Sequence, residues 1–173
     1  MCILSDRSIM ERIESESLGI NPFRPENLNT DSLDLCLLGE YLVFEELWRI
    51  DAVDLSVQTG NAFLSGEIGL CARRVLNAPN MILRPGQVIV AYLEERIKMP
   101  SDLCGIIDGK SKWARLGLQV ASAGLVHASW EGVPVLELVN LGNIPLKLTP
   151  GIPICQIRFE MVVFPPKIIK KGD

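Results

Sequence analysis

Histidine occurs once in the 173 residues, at His127, and aromatic residues make up only 6%. A Ser-His-Asp hydrolase would have to be built around that single imidazole, and no GxSxG elbow accompanies it. The five cysteines, Cys2, Cys36, Cys71, Cys104 and Cys155, are odd in number and form no CxxC pair, which argues against a disulfide framework and a structural zinc site. Positive charge is also short: 17 Lys and Arg against 21 Asp and Glu give a net charge of −4. A nucleic-acid polymer wants a basic face over many phosphates, so none is expected as a partner, although a small cationic pocket remains compatible with this balance. No stretch reaches the roughly 18 apolar residues of a membrane span, and the start has no basic region leading into an apolar one. No membrane partner is expected, and a cytoplasmic location is.

Apolar residues are plentiful, at 48% against 22% charged. A chain of this length is read as one domain, 1–173, able to bury a core without staples. Segment 1–20 reads as an N-terminal helix and turn, because Ser5 or Asp6 can cap it, Ile9, Met10 and Ile13 share a face, and Gly19 ends it. From Asn21 onward Pro and Gly punctuate short Val-, Ile- and Leu-rich runs, the spacing of strands in a sandwich or barrel. Leu83-Arg-Pro-Gly-Gln-Val-Ile and Leu148-Thr-Pro-Gly-Ile-Pro-Ile align, each reading as a Pro-Gly turn feeding a buried strand of a jelly-roll-like domain. Residues 165–173 read as a short tail.

Two segments could carry chemistry. Gly109-Lys-Ser ends like a Walker loop, but only three residues separate Gly105 from Gly109 where that motif needs four. What survives is a concentration of cations, Lys110, Lys112 and Arg115, beside Ser111, which can cap a short helix whose amides face an anion. Spacing alone equally allows a solvated turn. In the second segment Glu137 stands between Leu136 and Leu138. It is either an outward-facing strand glutamate or, if enclosed, a general acid/base. The His-x-Glu and Pro-Cys-x-x-Cys of the zinc nucleobase deaminases are missing, so deamination here would proceed without zinc.

In order along nearly the whole chain, several motifs resemble the dCTP deaminases, which share a superfamily with the trimeric dUTP diphosphatases. Leu4-Ser-Asp-Arg-Ser-Ile and Gly19-Ile-Asn-Pro look like the opening helix and turn, and Thr30-Asp-Ser-Leu-Asp-Leu-Cys-Leu-Leu-Gly is similar to the early S-V-D-L-R-L-G strand. Gly109-Lys-Ser-Lys-Trp-Ala-Arg-Leu-Gly-Leu resembles the phosphate-binding G-R-S-S-x-A-R-x-G-L. Trp130-Glu-Gly, Leu136-Glu-Leu-Val-Asn and Pro150-Gly-Ile-Pro-Ile-Cys-Gln follow in register.

The resemblance implies a distorted jelly roll of the dUTPase-like kind, homotrimeric, with nucleotide sites between subunits. It implies deamination of dCTP to dUTP and ammonia, with Mg²⁺ carried on the triphosphate. A dUTP diphosphatase and a non-catalytic nucleotide-binding homologue are the alternatives. Glu137 matches the glutamate that activates water for attack on C4 of cytosine. Lys110, Ser111, Lys112 and Arg115 match the phosphate loop, Gln156 the late-strand glutamine, and Ser122, Ala123, His127 and Trp130 complete the substrate-binding set.

The chain departs from that pattern at several places. His127 stands where the family has an Asp, which in dUTP diphosphatases orients the water attacking phosphorus; its replacement argues against diphosphatase activity unless His127 substitutes. A His-Arg pair that lies near the base in typical members is replaced by Gly124 and Leu125, and the second loop serine is Lys112. The family's C-terminal segment that closes over bound nucleotide has little counterpart here, from which slow turnover or a lost activity is expected.

Overall fold

The computed structural model describes residues 2–44, 72–120 and 124–164. It opens with helix α1 (Asp6–Glu14), whose N-cap Ser5 accepts a hydrogen bond from the Ser8 amide at 3.5 Å. Ile9 of that helix is fully buried, and Arg12 reaches Asp102 at 2.6 Å, so one apolar residue and one ion pair dock the helix on the barrel. The helix stops at Glu14, before the expected Gly19, because Glu16 turns into the left-handed region at φ 57°.

The remainder is almost entirely strand. A small sheet joins β1 (Gly19–Asn21), β6 (Arg96–Lys98) and β10 (Glu131–Gly132). The large antiparallel sheet uses β2 (Leu33–Phe44), β3 (Ala72–Val75), β5 (Val88–Leu93), β7 (Leu103–Gly109), β8 (Leu118–Val120), β9 (Leu125–Val126), β11 (Val135–Asn140) and β13 (Pro153–Met161). Its order is β8-β11-β5-β2-β13-β7-β9, with β3 paired to β2. A third pair joins β4 (Met81–Leu83) to β12 (Leu146–Leu148).

Alternation places the core. Leu136 and Leu138 of β11, Ile89, Ala91 and Leu93 of β5, Leu33, Leu35 and Leu37 of β2, and Cys155, Ile157 and Phe159 of β13 point to one side, all with 1% exposure or less. Their neighbours Glu137, Asp34 and Gln156 are half-buried on the other side. The sheet curls on itself: a Cβ placed on Gly109, at the end of β7, would sit 3.6 Å from Val120 Cγ2 on β8. Curling brings β7 against β8 and leaves the core inside, the barrel the strand spacing predicts.

The aligned Leu-x-Pro-Gly segments are two turns that face each other. Leu83 pairs with Leu146 and Met81 with Leu148, and each following glycine takes a positive φ, 75° at Gly86 and 83° at Gly151. The glycines serve conformations that a Cβ would strain. Fully buried Asn140 locks the arrangement: its Nδ2 donates to the carbonyls of Leu83 (3.0 Å) and Ile144 (2.8 Å), and its Oδ1 accepts from the Gly142 amide (2.9 Å). The 165–173 tail lies outside the described residues.

Candidate functional site

β7 delivers the cationic loop. Lys110 follows its last residue in extended conformation (φ −94°, ψ 131°) and precedes the single-turn helix α2 (Ser111–Ala114). Contrary to the sequence expectation, Ser111 is not the cap: Lys110 holds the N-cap position, and no side chain caps the turn. The strand runs through Gly109, so the helical conformation begins one residue too early for the serine to stand ahead of it. Ser111, Lys112 and Arg115 are exposed. The Lys112 ammonium lies 4.5 Å from the centroid of the Trp113 ring, a cation–π contact.

Two contacts fix α2 to the barrel. Trp113 Nε1 donates to the Pro153 carbonyl at 2.7 Å, at the start of β13. At its exit Gly117 takes φ 91°, and its carbonyl accepts from the Leu141 amide at 2.8 Å. Backbone meets backbone there, since a Cβ on Gly117 would fall 2.3 Å from the Gly142 nitrogen. The glycine of the Ala-Arg-Leu-Gly-Leu run is therefore a packing requirement. An apolar hollow of about 160 Å³ lies beside the helix, between Trp113, Leu118, Leu148 and Ile152.

Lys110 turns back to the outward face of β2, where its ammonium pairs with Asp34. Asp34 stands opposite Gln156 on β13, and Gln156 stands opposite Asp108 on β7. These residues form a polar row across three strands. Ser32 donates to Gln156 Oε1 at 3.4 Å, and Arg158 NH1 donates to Asp108 at 2.8 Å. Asp31, Ser32, Asp108, Gln156 and Arg158 line a polar hollow of about 130 Å³. Lys110 and Gln156 are thus both neighbours of Asp34.

Glu137 lies elsewhere. It is half-buried on the outward face of β11, between Val135 and Val139 and opposite Val90. Counted around the curl, β13 is three strands from β11 in either direction, through β5 and β2 or through β8 and β7. Glu137 and Gln156 therefore point outward from opposite sides of one barrel. His127 follows β9, which pairs with β7 at Gly105, and is exposed. Its turn is tied down by the Ser129 amide on Pro100 O (3.1 Å) and the Trp130 amide on His127 O (3.2 Å), with Ser129 at φ 63°. Trp130 is half-buried and lies over Gly132, where a Cβ would meet its Cζ2 at 2.7 Å. Ser122 and Ala123 lie outside the described residues.

Three polar groups escape the sequence reading. Asp34 and Asn140 fall inside the quoted Thr30–Gly39 and Leu136–Asn140 motifs, yet the sequence alone assigns neither a role. Glu95, 2% exposed, accepts from the Cys36 amide at 2.9 Å and from Arg24 at 3.2 Å, while Arg24 also holds Glu94 at 2.5 Å. Burial raises the Glu95 carboxyl above its ordinary value, against the lowering effect of the Cys36 amide. Among the described residues no group of three or more His, Cys, Asp and Glu side chains is placed to hold a metal ion.

Comparison with known proteins gives a consistent result. Residues 3–162 match a family model described as dCTP deaminase-like. The chain is 36% identical over 170 residues to a protein of Persephonella marina named dCTP deaminase, dUMP-forming, covering 98% of this chain and 89% of that one. It is 32% identical over 171 residues to one of the same name from Aquifex aeolicus, covering 98% and 87%. A crystal structure of 2'-deoxycytidine 5'-triphosphate deaminase from Agrobacterium tumefaciens superposes with a TM-score of 0.70 at 20% identity, covering 92% of this chain and 48% of that one. The chain thus spans about half the length of that structure, and this likeness establishes the fold.

Proposed function

This chain belongs to the dCTP deaminase-like family, and from that premise we propose that it hydrolyses the 4-amino group of dCTP and releases dUMP. This product departs from the dUTP expected from the sequence, and the relatives' names, which specify dUMP, support it. The observation that carries the reading is Glu137: the one carboxylate on the half-buried outer face of β11, flanked by valines, at the position that matches the family's water-activating glutamate.

In the proposed reaction Glu137 takes a proton from the water that attacks C4. The proton is passed to the 4-amino group, the C–N bond breaks, ammonia leaves, and the base becomes a uracil. Positioned proton transfer of this kind contributes about 10²–10⁴-fold. A second water then attacks the α-phosphorus, breaking the α–β anhydride to give dUMP and pyrophosphate. The imidazole of His127, exposed on its turn, stands where the family has an aspartate and is assigned to orient this water.

Lys110, Ser111, Arg115 and Gln156 hold the phosphates; Lys112 adds charge to the same loop. The magnesium ion expected on the triphosphate arrives with the nucleotide, its charge offsetting that of the phosphates, and no step is assigned to it. The described residues supply no closed set of protein ligands for it.

Because Glu137 and the Lys110–Gln156 row leave one barrel in opposite directions, one nucleotide reaches both only if a second copy brings its own loop to Glu137. This supports sites between subunits, and the homotrimer implied by the resemblance is the assembly proposed to form them. Mixing Glu137→Gln with Lys110→Met subunits is expected to restore part of the activity that each lacks alone; mixtures as inactive as their components would place the site within one chain.

A second reading is favoured by His127 itself: without a carboxylate to orient the second water, the reaction stops at dUTP. Incubation with dCTP, following ammonia and pyrophosphate together, separates the two. Equal amounts of both support dUMP formation with His127 in the aspartate's place. Ammonia without pyrophosphate supports the reading that ends at dUTP, and pyrophosphate from dUTP without ammonia from dCTP would leave a diphosphatase.

A further inference from the structure

We infer that Asp34 is the positioning residue of the phosphate loop, holding the Lys110 ammonium over Gln156 so that the two groups meet the nucleotide together; the inference rests on the phosphate role proposed above for Lys110 and Gln156. Lysine carries a compact charge on a flexible four-carbon stem, and at the end of β7 nothing in its own backbone directs that stem. Asp34 supplies the direction. Its Oδ2 pairs with the Lys110 ammonium, and its Oδ1 accepts from Asn29 Nδ2 at 2.9 Å, so both carboxylate oxygens are committed and the group cannot swing freely.

The Lys110 and Asp34 side chains are 14% and 12% exposed, unlike the solvated pairs elsewhere on the surface. Strand register then fixes the outcome: Asp34 lies opposite Gln156, so an ammonium held on Asp34 is held beside the Gln156 amide. An ammonium has three N–H donors, and one directed at Asp34 leaves two for phosphate oxygens. Asp34 therefore places the cation without consuming it, which is preorganisation of the kind that lowers the cost of binding.

The test is a double-mutant cycle with Asp34→Asn, Lys110→Met and the double variant, read by turnover of dCTP and independently by calorimetric binding of dCTP. Asp34→Asn is expected to weaken binding and raise KM by about tenfold, the size expected for a hydrogen bond to a charged group, while kcat stays within about twofold. In the Lys110→Met background it is expected to change neither, because the group it positions is gone. Asp34→Glu, which keeps the charge on a longer arm, is expected to weaken binding less than Asn, and supplies the same cycle if the Asn variant does not fold.

Effects that multiply in the double variant, a fall in kcat with KM unchanged, or unaltered dCTP binding in Asp34→Asn would overturn the inference. Wild-type protein that binds dCTP without releasing ammonia would end the deaminase reading alone, since the cycle is still read by calorimetry. Wild-type turnover with an additive cycle would end only the role of Asp34, and failure of the wild-type protein to bind dCTP would end both.

Discussion

Replacing Gly117 with alanine puts a methyl group where the exit of α2 meets the turn after β11. The new Cβ would lie 2.3 Å from the Gly142 nitrogen and 2.4 Å from its Cα, and backbone atoms cannot rotate away as a side chain can. The backbone at φ 91° adds the cost of an L-residue in the left-handed region, about 1–2 kcal/mol. Relief of the overlap requires movement of one turn against the other, about 1–3 kcal/mol for overpacking. The sum is about 2–5 kcal/mol, or a melting temperature lower by about 10 °C for a domain of this size.

Gly86→Ala is the matched control. Its φ is 75°, yet nothing lies within 4 Å of the added Cβ, so only the conformational part applies. Urea and thermal unfolding at one fixed protein concentration give both values, the concentration being held because assembly shifts apparent stability. Gly117→Ala should be the more destabilised by about 1–3 kcal/mol. Equal losses in the two variants would refute the close approach of Gly117 and Gly142 as the reason for that glycine.

Three further outcomes follow from the same structure. Glu95 is buried and its carboxyl is raised above the ordinary 4.5, so the fold favours its protonated form; the stability this contributes is complete below that value and is lost as pH climbs through the folded-state value. The melting temperature of Glu95→Gln should therefore fall less than that of the wild type across that window, and parallel curves would contradict the burial argument. Trp113→Phe removes the donor to the Pro153 carbonyl and should lose about 1–3 kcal/mol while raising the KM for dCTP, because α2 loses one of its two anchors; an unchanged KM in kinetic assays would separate α2 from phosphate binding. Ser129→Gly relieves a left-handed residue at φ 63° and should raise stability by about 1 kcal/mol in urea unfolding, a loss being the contrary result.

The strand-rich fold and its core are legible because period-2 alternation and Pro-Gly punctuation are local signals, and β11 keeps its pattern intact with Leu136 and Leu138 inside. The Leu83 and Leu148 repeats could be seen as similar, but their pairing through β4 and β12 depends on contacts between distant segments, which no window of sequence contains. The same limit hides Asp34 and Glu95. Asp34 lies within the β2 strand pattern and Glu95 in the short connection between β5 and β6, and each gains its meaning from a partner far along the chain: Lys110 for Asp34, and Arg24 with the Cys36 amide for Glu95.

Ser111 shows a different limit. The residue type suits a cap, but where the turn begins is set by how far β7 extends, and that is decided by pairing with β13 through Gly109. The opposed directions of Glu137 and Gln156 likewise become visible only once the strand order is known.

The catalytic role of Glu137 is tested by comparing wild-type protein with Glu137→Gln, measuring ammonia release from dCTP alongside dCTP binding. Ammonia release is expected to fall by at least about 10²-fold while the binding constant changes little, because the substituted amide keeps the shape of the carboxylate and loses the base. Undiminished ammonia release from the variant would contradict the assignment of Glu137 and, with it, the proposed mechanism.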